Sequence, residues 1–168
     1  MISGLAWIPV LLFLIVMQKM IVGVFPFPLR SIELSLLFVI FSGFSMSIPR
    51  GAILTLSAGF FIGVLTGTMT GLYMVVYFIL FCFSALVSTR VYIEQPYVIM
   101  SFTMACAVLE EGMLLVFKYY VLGASYLAPS LLRAAFLQVI VLGLLSPFFF
   151  KLFRKFEVLV HAKTSRSN

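Results

Sequence analysis

The chain reads as an all-α integral membrane protein, on three observations: its composition, the length of its apolar runs, and a glycine-rich break inside the longest uncharged stretch. Hydrophobic residues make up 64% of the 168 residues and charged residues 10%, and the mean hydropathy is +1.24. So few charges cannot cover a water-facing surface of ordinary charge density. A spanning helix takes about 20 apolar residues, which leaves room for about five or six spans and for no soluble domain.

Charge and proline divide the chain into six apolar runs: Leu5–Val24, Ile32–Met46, Ala52–Leu65, Met69–Ser88, Tyr97–Tyr119 and Leu127–Phe150. Each is predicted to be a transmembrane helix. The first run has neither a basic start nor a small-residue cleavage site, so it is expected to be a retained helix rather than a signal peptide. Residues 1–150 are then a six-helix transmembrane bundle and residues 151–168 a basic amphipathic cytoplasmic tail.

The third and fourth runs are separated on length. As one helix, Gly51 to Thr89 would extend about 58 Å, nearly twice a hydrocarbon core of about 30 Å. The stretch must fold back, and the break is "TGTMTG", residues 66–71. Gly67 and Gly71 permit positive φ there, and the threonines can bond local backbone groups. Gly59 and Gly63 lie one turn apart on the preceding helix. Such a small-xxx-small pair lets another backbone approach closely, within the chain or from a partner; a ligand contact is the less favoured reading.

Basic residues favour the cytoplasmic side. With the N-terminus inside, Arg50, Arg90, Lys151, Arg154, Lys155, Lys163 and Arg166 fall on that side. Arg30 and Lys118, with Lys19 and Arg133 near helix ends, fall on the outer side, so both termini are expected in the cytoplasm. In the tail, Leu152, Phe153, Phe156, Leu159 and Val160 recur at helical spacing among Lys151, Arg154 and Lys155. That is a basic amphipathic helix suited to anionic lipid, with a cytoplasmic protein as the other candidate partner. The basic residues are too dispersed for a nucleic-acid track.

Chemistry-bearing residues are few. Cys82 and Cys106 match no metal or redox spacing and read as small hydrophobes. No P-loop, zinc spacing, Ser/His/Asp set or haem signature is present, and the one histidine is His161 in the tail, so no cofactor, metal or enzymatic activity is expected. Glu110 and Glu111 stand out because they lie deep in the fifth run, where a carboxylate is costly. Neighbouring helical residues point about 100° apart, so the two cannot converge as a catalytic dyad. The dipeptide resembles that of intramembrane CAAX-type proteases, but their downstream arginine and further histidines are missing. Glu33, Glu110 and Glu111 fall in the same outer half as Lys19, Arg30, Lys118 and Arg133. An ion-paired layer fixing helix register is the favoured reading, with proton coupling and partner-facing charge as alternatives.

Several stretches together resemble the rod shape-determining protein MreD family. Met17-Gln18 near the end of the first helix, "RSIEL" at Arg30 to Leu34, "GFFIGVL" at Gly59 to Leu65, Gly71 in the turn and the closing "SPFFFKLFRKFE" at Ser146 to Glu157 carry the likeness. Gly67 stands where that family commonly has an aspartate, so no role of that acid transfers. The resemblance implies a non-enzymatic component of the bacterial inner membrane that binds MreC and helps connect MreB filaments with the RodA glycosyltransferase and its transpeptidase partner. It also implies a fold related to the substrate-binding subunits of energy-coupling-factor vitamin transporters. Such a subunit is the alternative function, with Tyr119, Tyr120, Tyr126 and Glu110 as pocket candidates.

Overall fold

The computed structural model describes residues 13, 15–18, 20, 33–67, 70–89, 95–122 and 129–165, and all regular structure among them is helical. Residues 13, 15–18 and 20 are helical and belong to the first predicted run, the rest of which lies outside the described residues. The elements that follow are α1 (Ser35–Ser45), α2 (Ile48–Thr66), α3 (Thr70–Ser88), α4 (Pro96–Leu122) and α5 (Pro129–Ser165). The last four are long and apolar enough to cross a membrane.

The second predicted span is different. Helix α1 has only 11 residues, about 16 Å of rise, too short to cross a hydrocarbon core of about 30 Å by itself. Every residue from Ser35 to Gly43 is buried. A helix that is apolar on all sides belongs inside a protein, and α1 is the central post against which the longer helices pack.

Local sequence explains where α2 begins and ends. Ser47 stands in extended conformation before it, Pro49 occupies the first turn, and the Ser47 carbonyl accepts the Arg50 and Gly51 amides, as expected where proline's missing donor costs nothing. At the other end Gly67 adopts φ 65° and its amide bonds the Val64 carbonyl, a left-handed cap that a side chain would strain. Gly71 was predicted to share the turn, but it lies in the first turn of α3. Gly67 alone among the described glycines has positive φ.

Helices α2 and α3 form an antiparallel hairpin in very close contact. A Cβ on Gly59 would stand 2.7 Å from Met74 Cα and 2.8 Å from the Tyr73 carbonyl oxygen. Helix α1 runs parallel to α3, touching it at Ser35–Tyr77 near one end and at Gly43–Ser84 near the other. Polar side chains inside this trio are satisfied locally or across helices: Ser42 Oγ donates to the Val39 carbonyl and lies 3.2 Å from Thr55 Oγ1.

Helix α5 reaches α1 through aromatic rings. Phe153 packs edge-on to Phe38 at 5.8 Å and lies 5.2 Å from Phe41, which also meets Phe150 at 5.6 Å. Aromatic pairs add roughly 0.5–1.5 kcal/mol beyond their buried area. Phe153→Leu, which keeps most of the volume but no ring, is therefore expected to cost about 1 kcal/mol, read as a lowered unfolding midpoint in detergent.

Pro147 lies inside α5 without ending it. Proline removes the amide that would have bonded the Gly143 carbonyl, and Ser146 Oγ donates to that same carbonyl at 2.7 Å. The replacement bond lets the helix continue without a break at residue 150, so the tail is an extension of the last span rather than a separate unit.

Candidate functional site

A buried polar cluster is built around the N-terminus of α1. The first amides of a helix lack intrahelical acceptors and carry partial positive charge. One of them, Ser35 N–H, donates to Gln18 Oε1 at 3.1 Å, tying the N-terminal segment to α1. Glu33 precedes the helix, and its carbonyl accepts the Leu36 amide.

The Glu33 carboxylate accepts two phenol hydroxyls, Tyr73 Oη to Oε1 at 2.9 Å and Tyr77 Oη to Oε2 at 3.0 Å. These tyrosines sit one turn apart on α3 and so share a face, with ring centroids 6.0 Å apart and near-perpendicular. A phenol has one proton. With the Tyr77 proton directed to Glu33, the 2.7 Å contact between Ser35 Oγ and Tyr77 Oη is a bond donated by the serine. The result is a relay of side chains from Gln18 through α1 to α3.

Glu110 enters this cluster from α4. Its side chain is 0% exposed and neither carboxyl oxygen completes a hydrogen bond. It lies near Glu33 and Tyr77, with Glu111 as its other charged neighbour. Glu111, one position on, is only partly buried. On α5, Gln138 is 1% exposed and both its amide atoms lack partners, and Thr103 on α4 is buried with an unpartnered hydroxyl.

The three carboxylates Glu33, Glu110 and Glu111 are thus brought together. Of the basic residues expected to pair with them, Lys19 and Arg30 lie outside the described residues. Lys118 is on α4 with its side chain outside them, and Arg133 is exposed on α5. The donors that hold Glu33 include two tyrosines, which the sequence reading did not single out. Gly59 and Gly63 are buried in α2, and Gly59 meets the chain's own α3 rather than an outside segment. Tyr119 and Tyr120 are exposed near the end of α4 and do not gather around Glu110, and Tyr126 lies outside the described residues. Lys151, Arg154 and Lys155 are exposed on α5 beside the buried Phe150 and Phe153. Cys82 is exposed and Cys106 buried, both free thiols. Among the described residues no group of three acidic, histidine or cysteine side chains could hold a metal ion.

The fold and this cluster define a multi-helix membrane protein with a carboxylate–tyrosine network inside its bundle. No family model, curated protein or solved structure matches the chain.

Proposed function

We propose that the protein is a non-enzymatic scaffold of the bacterial cell-wall elongation machinery, of the MreD type. In this reading it is a six-span protein of the inner membrane whose second span is short and enclosed by the others, with both termini cytoplasmic, a fold related to energy-coupling-factor subunits, and MreC as its direct partner. Through MreC it helps couple MreB filaments to RodA and its transpeptidase partner.

The observation that supports this reading is where the resemblance-bearing stretches lie. Gln18 bonds Ser35, Glu33 bonds Tyr73, Gly59 packs on the Tyr73–Met74 backbone, and Phe150 and Phe153 seat on Phe41 of α1. Stretches far apart in sequence converge on α1 and on α3 beside it and hold the bundle together. Residues spent on architecture in this way fit a scaffold better than a reaction centre. The alternative, a vitamin-binding transporter subunit, needs a polar, aromatic-lined pocket; of the candidates for it, Tyr119 and Tyr120 are exposed, while Glu110 is sealed.

The test is affinity purification of the tagged protein from native membranes in mild detergent. Co-recovery of MreC with elongation enzymes is the expected result; co-recovery of a transporter coupling subunit with ATPases would overturn the scaffold reading. A second prediction concerns the tail. Basic residues near an anionic surface contribute about 1 kcal/mol each, so Arg154→Gln with Lys155→Gln is expected to weaken retention of anionic lipid by about 2 kcal/mol. Native mass spectrometry of protein extracted from mixed lipid reads this as fewer bound anionic lipids; an unchanged count would remove the lipid role.

A further inference from the structure

We infer that Glu110, with Gln138, forms an intramembrane binding site for one monovalent cation, a proton or a sodium ion, between α3, α4 and α5. The inference does not depend on the scaffold reading.

The site stands on two buried, unpartnered side chains from different helices. Glu110 has two oxygens without hydrogen bonds at 0% exposure and lies near Glu33 and Tyr77. Gln138 has an unpartnered oxygen and nitrogen at 1% exposure. Their relative height follows from chain geometry. Residues 123–128 join α4 to α5, a connection that spans at most about 25 Å, whereas α4 is about 40 Å long, so the two helices must be antiparallel. Gly143 on α5 touches Met104 on α4, where a Cβ would overlap the methionine side chain. Counting from that contact, Glu110 lies about 9 Å along α4 and Gln138 about 7.5 Å along α5 in the same direction. The carboxyl and the amide are at one depth, on the buried faces of facing helices.

The chemistry of the lining selects the ligand. Its atoms are carboxyl, phenol and amide oxygens, which suit a hard cation. Among the described residues the charged neighbours of Glu110 are the carboxylates Glu33 and Glu111, and its own two oxygens have no hydrogen-bond donor. Burying an uncompensated carboxylate is strongly unfavourable. Glu33 is held by its two phenols, whereas Glu110 has no donor of its own and calls for one charge. Among the described residues the titratable groups around Glu110 are Glu33 before α1, Tyr73 and Tyr77 on α3, and Cys106 and Glu111 on α4; α5 contributes the neutral Gln138.

The experiment is the unfolding midpoint of the purified protein in nanodiscs, measured in two series. One titrates sodium at fixed pH with choline as the ionic-strength control; the other varies pH in choline alone. A ligand bound by the folded state raises the midpoint by about 5 °C over a roughly hundredfold rise in its concentration. Response to sodium assigns that ion, and a rise with falling pH in choline assigns the proton. Glu110→Gln is expected to abolish the dependence. A wild-type midpoint flat in both series overturns the site, as does a Glu110→Gln protein that keeps the wild-type response. If that variant does not fold, Glu110→Asp serves in its place. Withdrawing the carboxyl by one methylene should shift the half-saturating concentration at least about tenfold, and no shift counts against the site.

Discussion

Gly59→Leu is expected to prevent the α2–α3 hairpin from closing and to leave little folded protein. The reason is that the atoms facing Gly59 are backbone: Met74 Cα, the Met74 nitrogen and the Tyr73 carbonyl all stand under 3.0 Å from where a Cβ would be. Side chains can rotate away from an intruder, whereas a helix backbone can only move as a body. Overpacking in a tight interior costs roughly 1–3 kcal/mol when neighbours can yield. Here they cannot, so a cost above about 3 kcal/mol is expected. Displacing α3 would also pull Tyr73 and Tyr77 from Glu33, which adds to the loss. The measurement is the folded yield and unfolding midpoint of the purified variant, with Gly71→Leu as the control. A Cβ on Gly71 meets nothing within 4 Å, so that variant should remain close to wild type. Equal behaviour of the two would remove close helix approach as the reason for Gly59.

The second large effect is expected from Glu33→Leu. The substitution deletes the acceptor of two phenols, one of them fully buried. Hydrogen bonds between helices in membranes average about 0.6 kcal/mol, because the unfolded chain finds substitutes in the bilayer. A buried hydroxyl left with no partner costs about 1–3 kcal/mol. The second figure governs for Tyr73, which is buried and has Glu33 as its described acceptor, while Tyr77 keeps its contact with Ser35 Oγ and loses less. A total of about 2–4 kcal/mol follows, with Glu33→Gln intermediate, since its amide keeps one acceptor oxygen and loses the other. A double-mutant cycle with Tyr77→Phe isolates one bond of the pair. Additive single effects would show that Tyr77 and Glu33 do not act together.

Much of the helical layout was legible in the chain, because apolar length and punctuation are local properties. The predicted break after Leu65 falls at Gly67, on a length argument that needs only helix rise. The predicted fifth run, Tyr97–Tyr119, differs from α4 by a few residues at either end. What periodicity could not show was the depth of α1: a run from Ile32 to Met46 looks like a short span whether it faces lipid or protein. The polar cluster was half legible. Glu33, Glu110 and Glu111 stood out as acids in apolar sequence, and in the structure Glu33 and Glu111 are charged neighbours of Glu110. Tyr73 and Tyr77 did not stand out, since their bonds to Glu33 cross 40 and 44 residues of chain and an aromatic pair at helical spacing is ordinary in a membrane helix. Nor could adjacent glutamates reveal which one turns inward. The face marked by Thr103, Ala107, Glu110 and Leu114 becomes readable only once burial is known.

The continuity of α5 fixes something beyond length. Its 37 residues amount to about 55 Å, against about 30 Å of hydrocarbon, so about 25 Å of helix belongs outside the core of the bilayer. Because Ser146 keeps the helix wound through Pro147, the angular phase of that outer portion is geared to the bundle. Removing one residue between Phe156 and the end of the helix would swing every later side chain by about 100° and draw it in by about 1.5 Å, with the spans untouched. Anything seated on the outer portion therefore reads a compass bearing as well as a distance, and a four-residue deletion, close to one full turn, should disturb it less than a two-residue one.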